Sequence, residues 1–103
     1  MSNTKKQDKI EKATQEVNLV EGLFRPSEAD FLINVLIEEK INFHKLQRLS
    51  LCIGQEKADT KYENSRIDEL LREKQIAKDY ISVARKEGYN VVINGKLNIS
   101  FVK

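Results

Sequence analysis

The sequence predicts an α+β fold with the element order β-α-α-β-β, in which a long antiparallel helical hairpin carries a small three-stranded antiparallel sheet. Three observations lead to this prediction. Two stretches with helical periodicity are each about 27 residues long, a short β-branched run precedes them, and an alternating run around an Asn-Gly pair follows them. The sheet is expected to pack on one end of the hairpin.

Length and charge bound the organisation of the chain. A chain of 103 residues favours one domain, which can bury a core without disulfides or a structural metal. The net charge of +2 comes from residues 1–15, which hold four lysines and two acidic residues. We expect residues 1–15 to form a flexible basic tail and residues 16–103 to form a single domain. Because no apolar run approaches a membrane span and no signal peptide is recognisable, we expect a cytoplasmic protein without membrane association.

The first predicted strand covers residues 16–21. This run, EVNLVE, is short and β-branched, places Val17 and Leu19 on one face, and ends at Gly22.

The first helix is predicted over residues 27–53. Ser27 and Asp30 have the spacing of a capping box, and Gly54 fits a left-handed position after the helix. The apolar side chains form two stripes. A full-length stripe, expected to contact the partner helix, consists of Phe31, Leu32, Val35, Leu36, Phe43, Leu46, Leu49 and Ile53. A second stripe, which stops halfway and should mark the extent of the sheet, consists of Ala29, Ile33, Ile37 and Ile41.

The second helix is predicted over residues 60–87. Capping-box pairs begin at Thr60 and at Ser65, so either can mark the start, and Gly88 marks the end. Two helices of similar length with a short connection predict an antiparallel hairpin. A seam with heptad-like spacing consists of Ile67, Leu70, Leu71, Ala77, Ile81 and Ala84. A shorter stripe, expected to lie under the sheet, consists of Ile76, Tyr80 and Val83.

The last two strands are predicted over residues 89–93 and 96–102, because Asn94-Gly95 is a strong hairpin signal. The alternating apolar residues of the two strands lie on the same face of the hairpin only if the loop between the strands has three residues. We therefore predict a loop at 93–95 with Gly95 left-handed and Val92 off the core face. An isolated two-stranded hairpin is only marginally stable in water, so the run at 16–21 is expected to join the sheet as a third strand.

No catalytic, cofactor-binding or metal-binding constellation is recognisable, which predicts a protein that is not an enzyme. The four glycines are isolated, and the single His44 and single Cys52 are too few for a zinc site. His44 continues the short stripe of the first helix, either as a pH-sensitive or ligand-contacting group or as a structural histidine bonded to a neighbour. The sequence favours the structural role, and we expect Cys52 to be a small buried hydrophobe.

The leading functional hypothesis is a protein–protein interaction or assembly module that self-associates through the distal half of the hairpin, the half nearest the connection between the helices. The helices are about twice as long as the strands, so this half is left as two helices that cannot enclose their own apolar side chains. The expected partner is a second copy, with another protein as an alternative. The predicted partner-binding residues are Phe43, His44, Leu46, Leu49, Leu51, Ile53, Ile67, Leu70 and Leu71.

The alternative hypothesis is a winged-helix-like nucleic-acid-binding protein that uses the C-terminal hairpin and the basic tail. It gains support if the first helix breaks near Asn42, since three helices would then precede an Asn-Gly wing. The net charge argues against it, because residues 16–103 contain equal numbers of basic and acidic side chains.

Overall fold

A computed structural model describes residues 14–53 and 59–103 of the chain. Its elements in chain order are β1 (Gln15–Phe24), α1 (Pro26–Cys52), α2 (Lys61–Glu87) and β2 (Val91–Ile99). The α+β class and the two long helices are confirmed. The predicted order and the three-stranded sheet are wrong, because the described chain is β-α-α-β with two antiparallel strands, β1 beside β2. Most of the predicted basic tail, and the Gly54 predicted to be left-handed after the first helix, lie outside the described residues.

The contacts of the chain divide it into two compact units. One unit, Phe24–Val91, contains both helices. The other contains the sheet, from Leu23 and the described residues before it together with Val92–Lys103. The packing of the sheet on one end of the hairpin stays a prediction.

The strand β2 runs without interruption through Asn94-Gly95, so the predicted turn is wrong. Gly95 has a negative φ, whereas the predicted loop required a left-handed one. In a continuous strand, Val91 and Ile93 point to the same face as Leu97 and Ile99. Val91 and Ile93 are partly buried and Val92 is 64% exposed, so Val92 is off the more buried face, as expected. Val92 lies off this face because side chains alternate between the two faces of a continuous strand, and no bulge is involved.

The strand β1 is longer than predicted, because it extends to Phe24. Its buried residue is Val20, while Val17 and Leu19, on which the strand prediction rests, are exposed. An ion pair between Glu16 Oε1 and Lys96 Nζ, at 3.1 Å, links the surfaces of the two strands.

The N-cap of helix α1 lies two residues before the predicted cap, Ser27. Arg25 is the N-cap and Pro26 the first helical residue, where its missing N–H costs nothing. Glu28 completes the cap, because its Oε1 accepts a hydrogen bond from the Arg25 backbone N–H at 2.9 Å. This bond and the Arg25 guanidinium hold the pKa of Glu28 below its usual range. Ser27 therefore lies inside the first turn, and the predicted box with Asp30 is wrong.

The helix α2 begins after Thr60, the first of its two predicted starts, and ends where predicted. The Lys61 N–H donates to Asp59 Oδ1 at 3.0 Å, so Asp59 satisfies the first turn. At the other end Gly88 has φ 78°, and the Tyr89 N–H donates to the Ala84 carbonyl at 2.9 Å. This is a Schellman ending, which requires a left-handed residue after the helix.

The two helices pack through one buried stripe on each. On α2 the buried residues are Ile67, Leu70, Ile81 and Ala84, as predicted, while Leu71 is exposed. On α1 they are Ala29, Ile41 and His44. A core cluster joins Ile41 to Ile67 and Leu70, with Ile37 packed against it.

The seam of α1 is thus the short stripe extended by His44, so the predicted assignment of the two stripes is wrong. Most of the full-length stripe is exposed, notably Phe31, Leu46, Leu49 and Ile53. The prediction assigned the longer of the two apolar stripes to the contact with α2. A seam position can instead hold a polar residue, provided that the partner helix satisfies its hydrogen bonds.

Lys74 is a polar seam residue of α2 that is likewise hydrogen-bonded by the partner helix. It lies between Leu70 and Ala77 at the spacing of the seam, and its Nζ donates to Glu38 Oε1 on α1 at 2.5 Å. The hydrogen bond and the charge of Lys74 lower the pKa of Glu38, and the charge of Lys45 adds to this effect.

Acidification should therefore weaken the link between the helices. Because the pKa of Glu38 in the folded chain is below its ordinary value of 4.5, the contribution is present above that pH and is lost as pH falls through the depressed pKa. Between pH 6 and pH 3, wild type should lose more stability than Lys74→Met, measured by urea unfolding. The exposed Lys78→Met is the control and should follow wild type. Identical pH profiles for Lys74→Met and wild type would contradict the assignment.

Two glycine substitutions test the helix end and the continuous strand together. Nothing lies within 4 Å of a Cβ built at Gly88 or at Gly95, so only the backbone differs between the two sites. Gly88→Ala should destabilise the fold by about 1 kcal/mol, because alanine is strained at a left-handed φ. Gly95→Ala should cost nothing or stabilise slightly. A comparable loss at Gly95 would instead support an Asn-Gly turn.

Candidate interaction site

The structure separates the nine predicted partner-binding residues into two groups. The buried residues are His44, Ile67 and Leu70. The exposed residues are Phe43, Leu46, Leu49, Leu51, Ile53 and Leu71. The distal seam between the helices is therefore filled, and the apolar surface available to a partner lies elsewhere.

His44 is the polar residue of the distal seam. It lies on α1, is 3% exposed, and its Nδ1 donates to Glu63 Oε2 on the first full turn of α2 at 2.5 Å. The ring of Tyr62 meets the imidazole edge-on, with 6.2 Å between ring centroids. Glu63 is thereby drawn across the seam and does not reach back to its predicted capping partner, Thr60. The geometry matches the structural role of His44.

A second polar contact lies one turn further along α1. Arg48 Nη1 donates to Asn64 Oδ1 at 2.8 Å. Together with the bond from His44 to Glu63, it ties the start of α2 to the last turns of α1. The distal end of the hairpin is therefore held by two side-chain contacts as well as by the apolar cluster.

The buried pair offers little for catalysis or metal binding. A carboxylate that orients a histidine is one part of a catalytic arrangement, but the histidine must also reach a nucleophile or a substrate. The Nε2 of His44 is buried and has no hydrogen-bond partner among the described residues. Within residues 14–53 and 59–103, no three His, Cys, Asp or Glu side chains lie close enough together to hold a metal ion.

Most of the exposed apolar residues of α1 lie on the side of the helix away from α2. At 100° per residue, Phe43, Leu46, Leu49 and Ile53 centre roughly 160° around the axis from the distal seam. Leu46 is 65% exposed and Ile53 is 72% exposed. We call this surface the outer face of α1; it consists of Leu32, Val35, Leu46, Leu49 and Ile53, with Phe31 and Phe43 at its margins. Exposed apolar side chains gathered on one helix face make this surface the candidate interaction site.

Four other residues differ from expectation or were missed. Leu51 and Leu71 are exposed but lie outside the outer face, so they are separate from the site. Cys52 is exposed, and the prediction that it is buried is wrong. The sequence reasoning missed Glu63, although it precedes Ile67 and Leu70 at the spacing of the seam.

Partial cover of the outer face comes from Lys40, whose Nζ lies 4.8 Å from the Phe43 ring centroid.

The pair of His44 and Glu63 should contribute to stability as a unit. Glu63→Leu should cost about 1–3 kcal/mol, since it leaves the buried imidazole without a partner, and His44→Leu with Glu63→Leu should cost less than the sum of the single changes. The readout is urea unfolding in a double-mutant cycle. The exposed pair of Glu16 and Lys96 is the control, for which Lys96→Leu should cost less than about 1 kcal/mol. Additive effects at His44 and Glu63 would rule out the coupling.

Comparison with known proteins identifies no relative of this chain. No protein-family model, no curated protein and no solved structure matches it. No helix in the described part of the chain has the length and apolar character needed to cross a membrane. The geometry of the chain itself therefore carries the functional inference.

Proposed function

We propose that this chain is a non-enzymatic assembly module that self-associates through the distal half of its helical hairpin. The surface that would carry this function is the distal part of the outer face of α1, formed by Phe43, Leu46, Leu49 and Ile53. The observation that supports the proposal is the exposure of these four side chains on a helix whose other side is already packed against α2.

The hydrophobic effect supplies the driving force. Fully burying a leucine, isoleucine or phenylalanine side chain is favourable by roughly 1.5–3 kcal/mol. In a dimer that joins two outer faces, each copy contributes its own set of apolar side chains to one interface. An isolated chain leaves these side chains in water, which favours association and exposes the free chain to aggregation.

A second copy is the partner that fits this surface most simply. Symmetric dimers use the same patch on both subunits, so one apolar face is sufficient for both sides of the interface. Joining two α1 helices would place them in the centre and the two α2 helices outside. Four packed helices then share two kinds of seam, one within each chain and one between the chains.

The nucleic-acid-binding alternative rests on fewer observations. A helix break near Asn42 and a wing at Asn94-Gly95 would support it, whereas α1 is continuous from Pro26 to Cys52 and β2 is continuous from Val91 to Ile99. The basic residues 1–15 are its main remaining support.

The oligomeric state tests the proposal directly. Sedimentation velocity at tens of micromolar should show a dimer, and Leu49→Asp should weaken it by at least about 100-fold, because a charge would be buried in each half of the interface. Circular dichroism should show an unchanged helix content, since Leu49 is exposed in the single chain.

The matched control is Ile76→Asp, which makes the same kind of change at an exposed apolar residue of α2. It should leave the dimer intact. A monomeric wild type, or equal effects of Leu49→Asp and Ile76→Asp, would overturn the proposal.

A further inference from the structure

We propose that two copies of the chain pair in an antiparallel manner along the outer faces of their α1 helices, in a register centred between Lys40 and Ile41. This inference rests on the proposed self-association and specifies its partner, orientation and register. It extends the interface from the distal half to most of the length of α1.

The outer face has the spacing of a coiled-coil seam. Steps of three and four residues alternate without a break through Leu32, Val35, Glu39, Asn42, Leu46, Leu49 and Ile53. This is the heptad period by which two helices keep one seam in contact. Each of these residues is exposed or partly exposed in the single chain, and the seam shared with α2 lies on the other side of the helix.

An antiparallel pair in this register matches six of the seven seam positions with one another. Leu32 of one copy would lie opposite Leu49 of the second copy, and Val35 opposite Leu46. The two polar positions meet each other, since Glu39 would lie opposite Asn42. A parallel pair would instead place each residue opposite its own copy, so that two Glu39 carboxylates would face each other and repel.

The pairing of Glu39 with Asn42 would select the register. The Asn42 amide is a donor and the Glu39 carboxylate an acceptor, and the two-fold symmetry produces this hydrogen bond twice. Within the described residues, neither side chain makes a hydrogen bond or an ion pair. A polar layer inside an apolar seam disfavours shifted registers, because a shift leaves its groups facing leucine or valine.

The margins of the seam are also complementary. Glu38 would lie near Lys45 of the second copy on one side, and Leu36 near Phe43 on the other. Glu38 already accepts a hydrogen bond from Lys74 of its own chain and has a second carboxylate oxygen for the Lys45 ammonium.

The ends of the paired helices supply a further match. In this register Ile53, the most exposed apolar residue of the seam, would reach the start of α1 in the second copy. A shallow apolar groove is present there, lined by Phe24, Ser27, Glu28, Phe31 and Leu32.

Disulfide trapping tests the orientation. In a Cys52→Ser background, Val35→Cys and Leu46→Cys chains are mixed, dialysed together and oxidised. The proposal expects disulfides between the two different chains and few between identical chains. In the antiparallel register, two copies of Val35 lie roughly 16 Å apart along the axis, beyond the Cα separation of about 7 Å that a disulfide tolerates.

The outcomes separate the two proposals. A monomeric wild type in sedimentation overturns both of them. A dimer in which each single-cysteine chain links readily to itself overturns the antiparallel register and leaves self-association intact. A dimer that forms no disulfide in either combination also overturns the register.

A charge swap tests the polar layer. Asn42→Asp places a carboxylate opposite Glu39 and should weaken the dimer at least tenfold. Adding Glu39→Asn restores one amide and one carboxylate to each layer, and the affinity should return to within a few-fold of wild type. The control Gln47→Glu adds the same charge to α1 outside the outer face and should change the affinity little. Failure of the double variant to recover would overturn the pairing.

Discussion

The packing of α1 on α2 through the short apolar stripe is the contact on which the other features of the hairpin depend. Ile41 meets Ile67 and Leu70 in the core cluster, and His44 bonds to Glu63 in the adjacent layer. Once this stripe is committed to α2, the longer stripe of α1 lies on the opposite side of the helix. The more apolar surface of α1 is thereby left exposed, and the proposed self-association would bury it.

The polar contacts of the seam explain why the less apolar stripe lies inside. A buried imidazole without a partner would cost about 1–3 kcal/mol, and Glu63 removes part of this cost. Lys74 and Glu38 make a similar contact closer to the middle of the hairpin. Such contacts add little net stability, but they penalise alternative packings that would leave their polar groups unsatisfied. They therefore determine which faces meet, while the apolar cluster supplies most of the free energy.

Residues near the helix ends predicted the helices well. The prediction of the sheet was wrong, because the sheet depends on pairing between strands that are distant in sequence. The end of α2 follows from Gly88, because a left-handed residue after a helix is a local requirement. Asn94-Gly95 is also a local turn signal, but pairing of β2 with the distant β1 overrides it. The apolar residues from Val91 to Ile99 alternate without a break, and this feature of the sequence points to one strand. A turn at Asn94-Gly95 needed an additional bulge to keep these residues on one face. Among the candidate site residues, apolar length favoured the wrong stripe as the seam with α2.

The two seams of α1 follow the same physical rule at different levels of assembly. Each contains apolar layers together with a polar group that finds a hydrogen-bond partner only in the correct pairing: His44 Nδ1 with Glu63 within the chain, and Asn42 with Glu39 between chains in the proposed dimer. The apolar layers are permissive, because leucine, isoleucine and valine pack acceptably in several registers. The polar layers are selective, because a one-turn shift leaves a donor or a carboxylate desolvated without a partner. A helix with apolar residues on both sides can thus distinguish its intramolecular partner from its intermolecular one by the position and chemistry of a few polar side chains.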